Sequence, residues 1–381
     1  MKILAVDVGT GTQDIFLYDS RLDLENGFKL IMPAPTLIVN RRLREATRRK
    51  EGVLLTGVTM GGGPAAWAIE AHLKAGQKVF ATAEAAKTVN DDLEAVTALG
   101  IQLVSEDEAR RLPDSIRRVH LADFDPIALR YALAPFGLSL HGLDAVAVAV
   151  FDHGAAPAGV SDRSFRFDYL DERIRAENRL SAFAYPAAQI PPALTRLAAV
   201  AKSAGEIPAP LVVMDTAAAA ILGASLDPML ALHGENLIAN IGNFHTLAFR
   251  LGAEGIRGVF EHHTGFLNPA KLEGLLRELS AGTLTNSAVY DDNGHGALVY
   301  EDKPLPMDHP DFNVVVTGPR RNMLRGSALK PYFAVPFGDM MIAGCFGLLA
   351  ATADVMPELG ETLRASLAGG GGQGTPPWEI E

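Results

Sequence analysis

The chain is poor in cysteine: Cys345 is the only one among its 381 residues. A single thiol cannot form an internal disulfide, a Cys-based zinc site or an iron–sulfur cluster, which needs several thiolates. Cys345 lies in an apolar stretch of small residues, where a free cysteine usually packs in the core. We therefore expect an inert thiol at this position and no iron–sulfur cofactor.

A long hydrophobic run is also missing. The apolar start of the chain, residues 1–6, stops at Asp7 and is too short for a signal-peptide core. The longest apolar run, residues 340–353, has a length more typical of a buried helix than of a membrane span. The sequence therefore predicts no targeting segment and no membrane partner, and the expected location is the reducing cytoplasm.

Positive charge is scarce relative to negative charge. The chain has 34 Lys and Arg against 45 Asp and Glu, which gives a formal net charge of −11. This balance argues against a general nucleic-acid binder, which needs a basic face.

At roughly 150 residues per domain, the length predicts two to three domains.

The apolar patterning predicts an α/β protein. Hairpins are expected at residues 2–19 and 237–251, and a buried strand at residues 144–151. Strands alternate with helices, which indicates a largely parallel, helix-covered sheet. Residues 155–190 are irregular in pattern and residues 283–312 are loop-rich, so the sequence does not predict which elements these segments form.

Two distant segments share one pattern. Residues 3–9 align with residues 236–242 at an offset of 233, and Phe16 then falls on Phe249. Each segment is an apolar strand, a carboxylate or amide, a glycine, a small polar loop and a second apolar strand. The repeat suggests a duplicated pair of domains. The alternative is two ordinary hairpins with glycine turns.

The loop residues suit a phosphate ligand. A glycine turn can bring backbone N–H groups close to a phosphate because no Cβ blocks the approach. Thr10, Thr12 and Gln13 add side-chain donors, and Asp7 at the strand end could hold Mg²⁺, usually through water. Two such loops facing each other across a cleft would hold a polyphosphate from both sides.

Five segments, in order along the chain, resemble the motifs of the actin, hexokinase and Hsp70 superfamily of two-domain ATPases and kinases. They are VDVGTGTQD (6–14) for the first phosphate loop, MDTAAAAILGA (214–224) for the first connecting helix, NIGNFHTLAF (240–249) for the second phosphate loop, VVVTGPRRNML (314–324) for the adenosine motif and GDMMIAGCFGLLAA (338–351) for the closing connecting helix. The resemblance implies a duplicated RNase H-like, actin-like α/β fold of two domains with a central cleft.

The same resemblance implies domain limits. The first RNase H-like domain would comprise residues 1–213, and the second would comprise residues 214–338. The C-terminal helix, residues 339–367, would pack back on the first domain. Residues 368–381, which are rich in glycine, would form a disordered tail.

The resemblance also implies a ligand set: ATP, Mg²⁺ and an unidentified small-molecule acceptor, for a phosphotransferase or an ATPase. The implied cofactor-binding residues are Asp7, Gly9, Thr10, Gly11, Thr12 and Gln13 on one side, Gly242, Asn243, His245 and Thr246 on the other, and Gly318 and Arg320 beside the nucleoside. Asp7 would hold Mg²⁺ through water. The pattern does not predict the oligomeric state.

Within that superfamily, the chain resembles a family labelled "putative pyruvate formate-lyase activating enzyme". Such activation is radical chemistry that uses a cluster held by three or more thiolates. Cys345 alone cannot supply them, so the activity in the label is not expected of this chain.

Several residues depart from the superfamily pattern. Asn240 stands where many members carry Asp, and Phe244 and His245 are bulkier than the usual Gly and Thr. Pro319 replaces the usual second glycine of the adenosine motif, which removes an N–H and fixes φ. These departures leave open an alternative function, a non-catalytic sensor or partner-binding protein on the same fold.

Two carboxylates are candidate catalytic groups. Asp152 is expected at the carboxyl end of strand 144–151, where open α/β sheets place their ligands, and His153 beside it could titrate near neutrality. Asp215 could orient Mg²⁺ or water. The alternatives are a turn stabilised by Asp152 and a simple helix cap formed by Asp215.

Other polar segments have a metal-like or anion-binding composition. Residues 261–263 (Glu-His-His) and 291–295 (Asp-Asp-Asn-Gly-His) match no zinc signature, so they are expected to line the cleft, and a metal-dependent hydrolase is a further alternative. The triple glycine, residues 61–63, could hold an anion before a helix or form a tight strand–helix turn.

Overall fold

The protein is described here from a computed structural model, which covers residues 1–205 and 207–379. Its strands are β1 (Lys2–Val8), β2 (Thr12–Asp19), β3 (Phe28–Pro33), β4 (Val53–Gly57), β5 (Val79–Ala81), β6 (Gln102–Leu103), β7 (Arg117–Leu121), β8 (Ala145–Val150), β9 (Ala184–Pro186), β10 (Leu211–Asp215), β11 (Asn236–Ile241), β12 (His245–Gly252), β13 (Gly255–His263), β14 (Gly296–Val299), β15 (Val314–Thr317) and β16 (Pro331–Phe333).

The helices are α1 (Pro35–Arg49), α2 (Pro64–Lys74), α3 (Ala83–Ala86), α4 (Leu93–Ala98), α5 (Glu106–Arg111), α6 (Pro126–Leu133), α7 (Asp162–Ala176), α8 (Thr195–Ala204), α9 (Thr216–Ala224), α10 (Pro269–Ala281), α11 (Asn286–Tyr290), α12 (Ala343–Val355) and α13 (Pro357–Ala365). Within the described residues, none of them is long and apolar enough to cross a bilayer.

Two six-stranded sheets have the same design. The first has the order β3-β2-β1-β8-β10-β9 and the second has the order β14-β13-β12-β11-β15-β16. In each, an antiparallel meander is followed by a strand parallel to its first strand. The registers also correspond at the predicted offset, because Val8 pairs with Gln13 and Ile241 pairs with Thr246. The prediction of a duplicated RNase H-like α/β fold is confirmed.

A third sheet lies between β3 and β8 in the chain. It has the order β6-β5-β4-β7, and all its strands are parallel. Sequence analysis predicted one largely parallel, helix-covered sheet and no separate unit. A buried parallel strand has the same pattern whichever sheet it joins, so only the observed pairing separates this unit, called here the inserted sheet.

One apolar core connects the first and second sheets. It includes Ile3 and Met214 from the first sheet and Ile238 and Val315 from the second, all fully buried. Helices α9 and α12 pack against each other within this core. The domain limits predicted from the sequence stay predictions. The same holds for the disordered tail, whose residues 380 and 381 lie outside the described part of the chain.

The contact between α9 and α12 depends on glycine. A Cβ on Gly223 would overlap the carbonyl oxygen of Ala343, and a Cβ on Gly347 would overlap the carbonyl oxygen of Ala219. Both overlaps are with backbone, which cannot move aside as a side chain can. The two helices therefore approach each other closely because neither carries a side chain at the crossing.

We expect Gly347→Ala to destabilise the protein by roughly 3 kcal/mol, since the added methyl forces the helices apart. The matched control is Gly274→Ala in α10, where a Cβ would meet nothing within 4 Å. That change should stabilise the protein by roughly 0.5–1 kcal/mol through helix propensity. Urea denaturation measures both, and equal effects of the two substitutions would contradict the role of the crossing.

Candidate functional site

A cleft opens between the two duplicated sheets and is bordered by the inserted sheet. It encloses about 1570 Å³, including its open mouth. Ten of the residues predicted from the sequence line it: Asp7, Gly9, Thr10, Gly11, Thr12, Asp152, Gly242, Asn243, His245 and Gly318. The structure thus brings together segments more than 200 positions apart in the chain.

Four predicted residues are not among those that line the cleft. The Gln13 side chain donates to the carbonyl oxygen of Pro33, and the Thr246 hydroxyl lies 2.9 Å from that of Thr264. The backbone N–H of Arg320 donates to Ile241, and Asp215 forms an ion pair described below. Strand alternation explains Thr246, because its side chain points to the face opposite its cleft-lining neighbour His245.

The two glycine turns have the same backbone geometry. Gly9 N–H donates to the carbonyl oxygen of Thr12 at 2.9 Å, and Gly242 N–H donates to that of His245 at 2.9 Å. The turns also meet: a Cβ on Gly11 would overlap the side-chain nitrogen of Asn243. The mirrored turns inferred from the repeat therefore face each other across a single cleft.

An acidic pair lies at the base of the first turn. Asp7 and Asp14 are opposite each other in the register of β1 and β2. The Thr216 hydroxyl donates to Asp7 Oδ1 at 2.5 Å, whereas the buried Asp14 Oδ1 has no hydrogen-bond partner among the described residues. Mg²⁺ prefers oxygen ligands such as carboxylates and hydroxyls. The side chains of Asp7, Asp14 and Thr216 therefore fit this ion.

Burial raises the pKa of both carboxyl groups. The pKa of Asp7 rises to about 7, and the nearby charge of Asp215 adds to the effect of burial. The pKa of Asp14 rises to about 8 because of burial and the charge of Asp7. Two buried acids this close favour either a shared proton or a bound cation.

Asp152 is held by backbone donors. Its Oδ1 accepts from Gly154 N–H at 2.8 Å, and its Oδ2 accepts from the N–H groups of Arg196 and Leu197 at 2.9 Å each. It therefore stabilises the start of α8. Burial raises its pKa, and the backbone donors oppose that shift. These bonds match the alternative of a stabilised turn, and a role as catalytic base stays a prediction.

Arg166, in α7, links the two duplicated sheets. Its Nη1 donates to Asp215 Oδ2 at 2.7 Å, and its Nε donates to Glu261 Oε2 at 2.7 Å. Asp215 ends β10 of the first sheet, and Glu261 lies on β13 of the second. The guanidinium also stacks 4.0 Å over the ring of Phe151, and the Arg166 side chain is 1% exposed.

Asp215 has two structural partners. Besides its ion pair with Arg166, its Oδ1 accepts from Ala217 N–H at 2.9 Å and caps α9. The helix cap named as the alternative is therefore present, and a role toward Mg²⁺ or water stays a prediction. Sequence reasoning missed Arg166, because residues 155–190 showed no periodic pattern that would have marked a buried position.

Three histidines cluster beside the glycine turns. His153, His245 and His295 each have a potential ligand atom within 4.8 Å of those of the other two. Burial is the main cause that lowers the pKa of all three, that of His153 to about 3. Their imidazoles are therefore neutral at pH 7, the form that binds metals.

Glu261 lies under the histidine cluster. Its Oε1 is 3.3 Å from His245 Nδ1 and 3.4 Å from His295 Nδ1. Burial raises its pKa to about 7, although Arg166 opposes that shift. Sequence analysis singled out residues 261–263 and 291–295 as polar cleft loops. It did not join His295 to His153, since no periodicity relates positions so distant.

The inserted sheet supplies the third wall of the cleft. Gly61 N–H donates to the carboxylate of Asp123, which also pairs with Arg196 at 2.5 Å. The amide of Gly61 is therefore used within the protein, as in a tight strand–helix turn. Trp67 of α2 contacts Phe244 of the second glycine turn, with ring centroids 5.7 Å apart. This wall thus reaches the second glycine turn.

The strand order, the paired turns and the central cleft define a protein of the actin-like, duplicated RNase H-like class. A family model described as "Putative pyruvate format-lyase activating enzyme (DUF1786)" matches residues 60–323. The chain belongs to this family, since the match spans more than half of its length.

Several solved structures are similar to this chain over most of its length. One is the activator of the 2-hydroxyisocaproyl-CoA dehydratase from Clostridium difficile with bound ADPNP (10% identity, 95% of this chain and 98% of that chain, TM-score 0.34). Others are a ROK hexokinase from Thermus thermophilus (12%, 92% and 98%, 0.29) and the apo psk41 ParM protein (12%, 96% and 99%, 0.29). No curated protein sequence matches the chain.

We expect Arg166→Met to lower the free energy of unfolding by about 3–5 kcal/mol, because it leaves two buried carboxylates without their cation. The control on the same helix is Arg175→Met, which removes an ion pair with Asp171. The Arg175 side chain is 67% exposed. A surface pair contributes about 1 kcal/mol or less. Urea denaturation at pH 8 compares the two, and similar losses would contradict the linking role of Arg166.

The stability of the protein should depend on pH through Asp14. Its carboxyl keeps a proton up to about pH 8 in the folded protein but loses it near its ordinary value of 3.8 when unfolded. The folded state therefore binds more protons between these values, and stability falls as pH rises through them. Asp14→Asn removes this titration, so the variant should exceed the parent in Tm by more at pH 8 than at pH 5.

Thermal denaturation in buffer free of divalent cations measures this effect. Asp114→Asn, at an exposed position, is the control and should change the Tm equally at both pH values. A difference in Tm between Asp14→Asn and the parent that is the same at pH 5 and pH 8 would contradict the prediction.

Proposed function

We propose that the cleft binds ATP with Mg²⁺ and that the protein is an ATP-dependent phosphotransferase or ATPase. The observation that carries this proposal is the pair of matched glycine turns, Gly9–Thr12 and Gly242–His245, which meet at one cleft. Because its glycine has no Cβ, the backbone of each turn can approach a ligand closely, which suits a chain of phosphates.

Two helix N-termini support a polyphosphate at the same place. Thr216 and Ala217 at the start of α9 line the cleft, as do Ala343 and Gly344 at the start of α12. Helix N-termini carry a positive partial charge, which favours anions, although the N–H of Ala217 in α9 already donates to Asp215. Thr10 and Thr12 add hydroxyl donors from the first turn.

Asp7 and Asp14 are the residues that would hold Mg²⁺, with Thr216 orienting Asp7. The ion supplies charge neutralisation for the phosphates and stabilises charge during phosphoryl transfer. The buried Asp14 Oδ1 without a partner in the described structure supports this role. Binding of a cation would also remove the repulsion between the two carboxylates.

The nucleoside would lie beside Gly318 and Pro319, which line the cleft. Gly318 has a φ of 91°, and a Cβ there would overlap the Asn240 side-chain oxygen. Arg320 N–H donates to Ile241 at 2.9 Å, so the chain after Pro319 is tied to β11. The backbone on both sides of Pro319 is therefore held by the second sheet.

For transfer to an acceptor, Asp152 would act as the base. It lies at the carboxyl end of β8 and lines the cleft, with His153 beside it. To accept a proton from a substrate, its carboxylate would exchange one of its backbone hydrogen bonds for the acceptor hydroxyl. Catalysis would otherwise depend on positioning and on neutralising the phosphate charge.

A second candidate function is a sensor that binds nucleotide without turnover. It is favoured by the engagement of the two candidate catalytic carboxylates, Asp152 with three backbone donors and Asp215 with Arg166 and α9. Asn240 lies on β11 at the position that corresponds to Asp7 on β1, and its neutral amide adds no charge for a metal. Turnover distinguishes this candidate from the first.

The activity named in the family's description is not part of the proposal. Cluster-based radical chemistry needs several thiolates. Cys345 is fully buried, and its Sγ donates to the carbonyl oxygen of Asp14 at 3.1 Å. Burial raises the pKa of this thiol, which disfavours the thiolate.

We expect calorimetric titration with ATP and Mg²⁺ to give one site per chain, and Asp7→Asn to weaken binding about tenfold, or about 1.4 kcal/mol. The variant keeps the shape of the side chain but removes the charge that would hold the ion. Asp114→Asn is the control and should bind as the parent does. The absence of binding heat with the parent would refute nucleotide binding.

Phosphate release and transfer to a panel of small acceptors separate the two candidate functions. The phosphotransferase or ATPase proposal requires turnover that falls in Asp152→Asn. Tight ATP binding without turnover in the parent would favour the sensor.

A further inference from the structure

The histidine cluster is built from both duplicated sheets. His153 follows β8 of the first sheet, His245 begins β12 of the second, and His295 precedes β14. His153 Nε2 lies 3.2 Å from His295 Nε2, and the rings of His245 and His295 are 4.8 Å apart. Side chains from three separate segments thus bring imidazole nitrogens to one point.

The spacing matches a tetrahedral metal site. Zinc–nitrogen bonds of about 2.0–2.1 Å place two ligand nitrogens about 3.3 Å apart in a tetrahedron. The observed separation of 3.2 Å between His153 and His295 is close to this value. One ring nitrogen of His245 lies within 4.8 Å of the ligand atoms of the other two.

Three buried polar atoms of the cluster have no hydrogen-bond partner among the described residues. They are His245 Nε2, His295 Nδ1 and Glu261 Oε1. His245 is 9% exposed, His295 is 1% exposed and Glu261 is fully buried. A buried polar atom without a hydrogen-bond partner lowers the stability of a protein by roughly 1–3 kcal/mol. Three such atoms in one cluster therefore need an explanation.

A metal ion on the Nε2 atoms would give His245 Nε2 a partner and would fix the tautomer of the rings that face Glu261. With the metal on the Nε2 atoms, each Nδ1 carries the proton and faces Glu261 Oε1, at 3.3 Å from His245 and 3.4 Å from His295. A carboxylate behind a metal-bound histidine is the usual second partner that fixes the ring and its tautomer. Arg166 holds the other oxygen of Glu261 at 2.7 Å.

We propose that His153, His245 and His295 form a binding site for a divalent transition metal of the Zn²⁺ class, with Glu261 as the partner of two ligands. The site is separate from the oxygen ligands proposed for Mg²⁺, because three imidazoles suit Zn²⁺ and not a hard cation. Three protein ligands leave a fourth position, the arrangement found in zinc sites that bind water or substrate.

Charge around the site is compatible with a cation. Arg166, Asp215 and Glu261 together carry one net negative charge when both acids are ionised. Arg163 near His295 and Arg196 near His153 add positive charge, and Arg196 is paired with Asp123. His153 and His245 line the cleft, so the fourth position would be reached from the proposed phosphate site. A phosphate oxygen or a water is the ligand class expected there.

The first experiment uses the parent chain after removal of metals by a chelator. We expect Zn²⁺ to bind at one ion per chain by elemental analysis and to raise the Tm, since the ion joins residues of both sheets. Co²⁺ in its place should give the visible absorption of a tetrahedral site without a thiolate charge-transfer band. Absence of a bound ion, or a thiolate band, would overturn the proposal.

The second experiment assigns the ligands. His153→Gln, at the least buried of the three positions, should abolish the Co²⁺ absorption and the Zn²⁺-dependent rise in Tm. His263→Gln is the matched control, because its ring lies 4.6 Å from that of His295 but outside the triad. Loss of the signal in His263→Gln, or its retention in His153→Gln, would overturn the assignment.

These measurements do not depend on nucleotide binding. Titration of the Zn²⁺-free chain with ATP and Mg²⁺ tests the proposed function alone, and titration with Co²⁺ alone tests the histidine site. Failure of one therefore leaves the other standing.

Discussion

The structure depends on the buried ion pairs of Arg166. One guanidinium holds Asp215 at the end of β10 and Glu261 on β13, so it connects the two duplicated sheets. Buried charges need such pairing because their desolvation is costly. The same contacts hold Asp215, which caps α9, and Glu261, which lies beneath the histidines.

The duplication holds for five strands of each sheet, whereas β9 and β14 extend opposite ends of their sheets and the side chains differ. The two turns share their hydrogen bond and their register, yet Asp7 corresponds to Asn240 and Thr12 corresponds to His245. The repeated backbone gives each turn the same hydrogen bond from the glycine N–H to a carbonyl oxygen. The side-chain differences place Asp7 on the first sheet and His245 on the second, and our two proposals assign these residues to different cations.

Much of the fold followed from local patterns. The hairpins at residues 2–19 and 237–251 and the strand at 144–151 correspond to β1–β2, β11–β12 and β8. The separate inserted sheet was missed because a parallel strand pattern does not name its partners. In the site, the glycine turns were predicted, since their chemistry lies within a few consecutive residues, whereas Arg166 in an irregular segment left no signal.

The sequence by itself determined the paired glycine turns, the exclusion of a cysteine-held cluster and the acidic character of the chain, because each depends on composition or on short spacing. Only the tertiary structure decided which side chains converge. His153, His245 and His295 are separated by 50 positions or more, and sheet pairing and the Arg166 ion pairs bring them together. Such contacts depend on how distant elements pack, which no local pattern encodes.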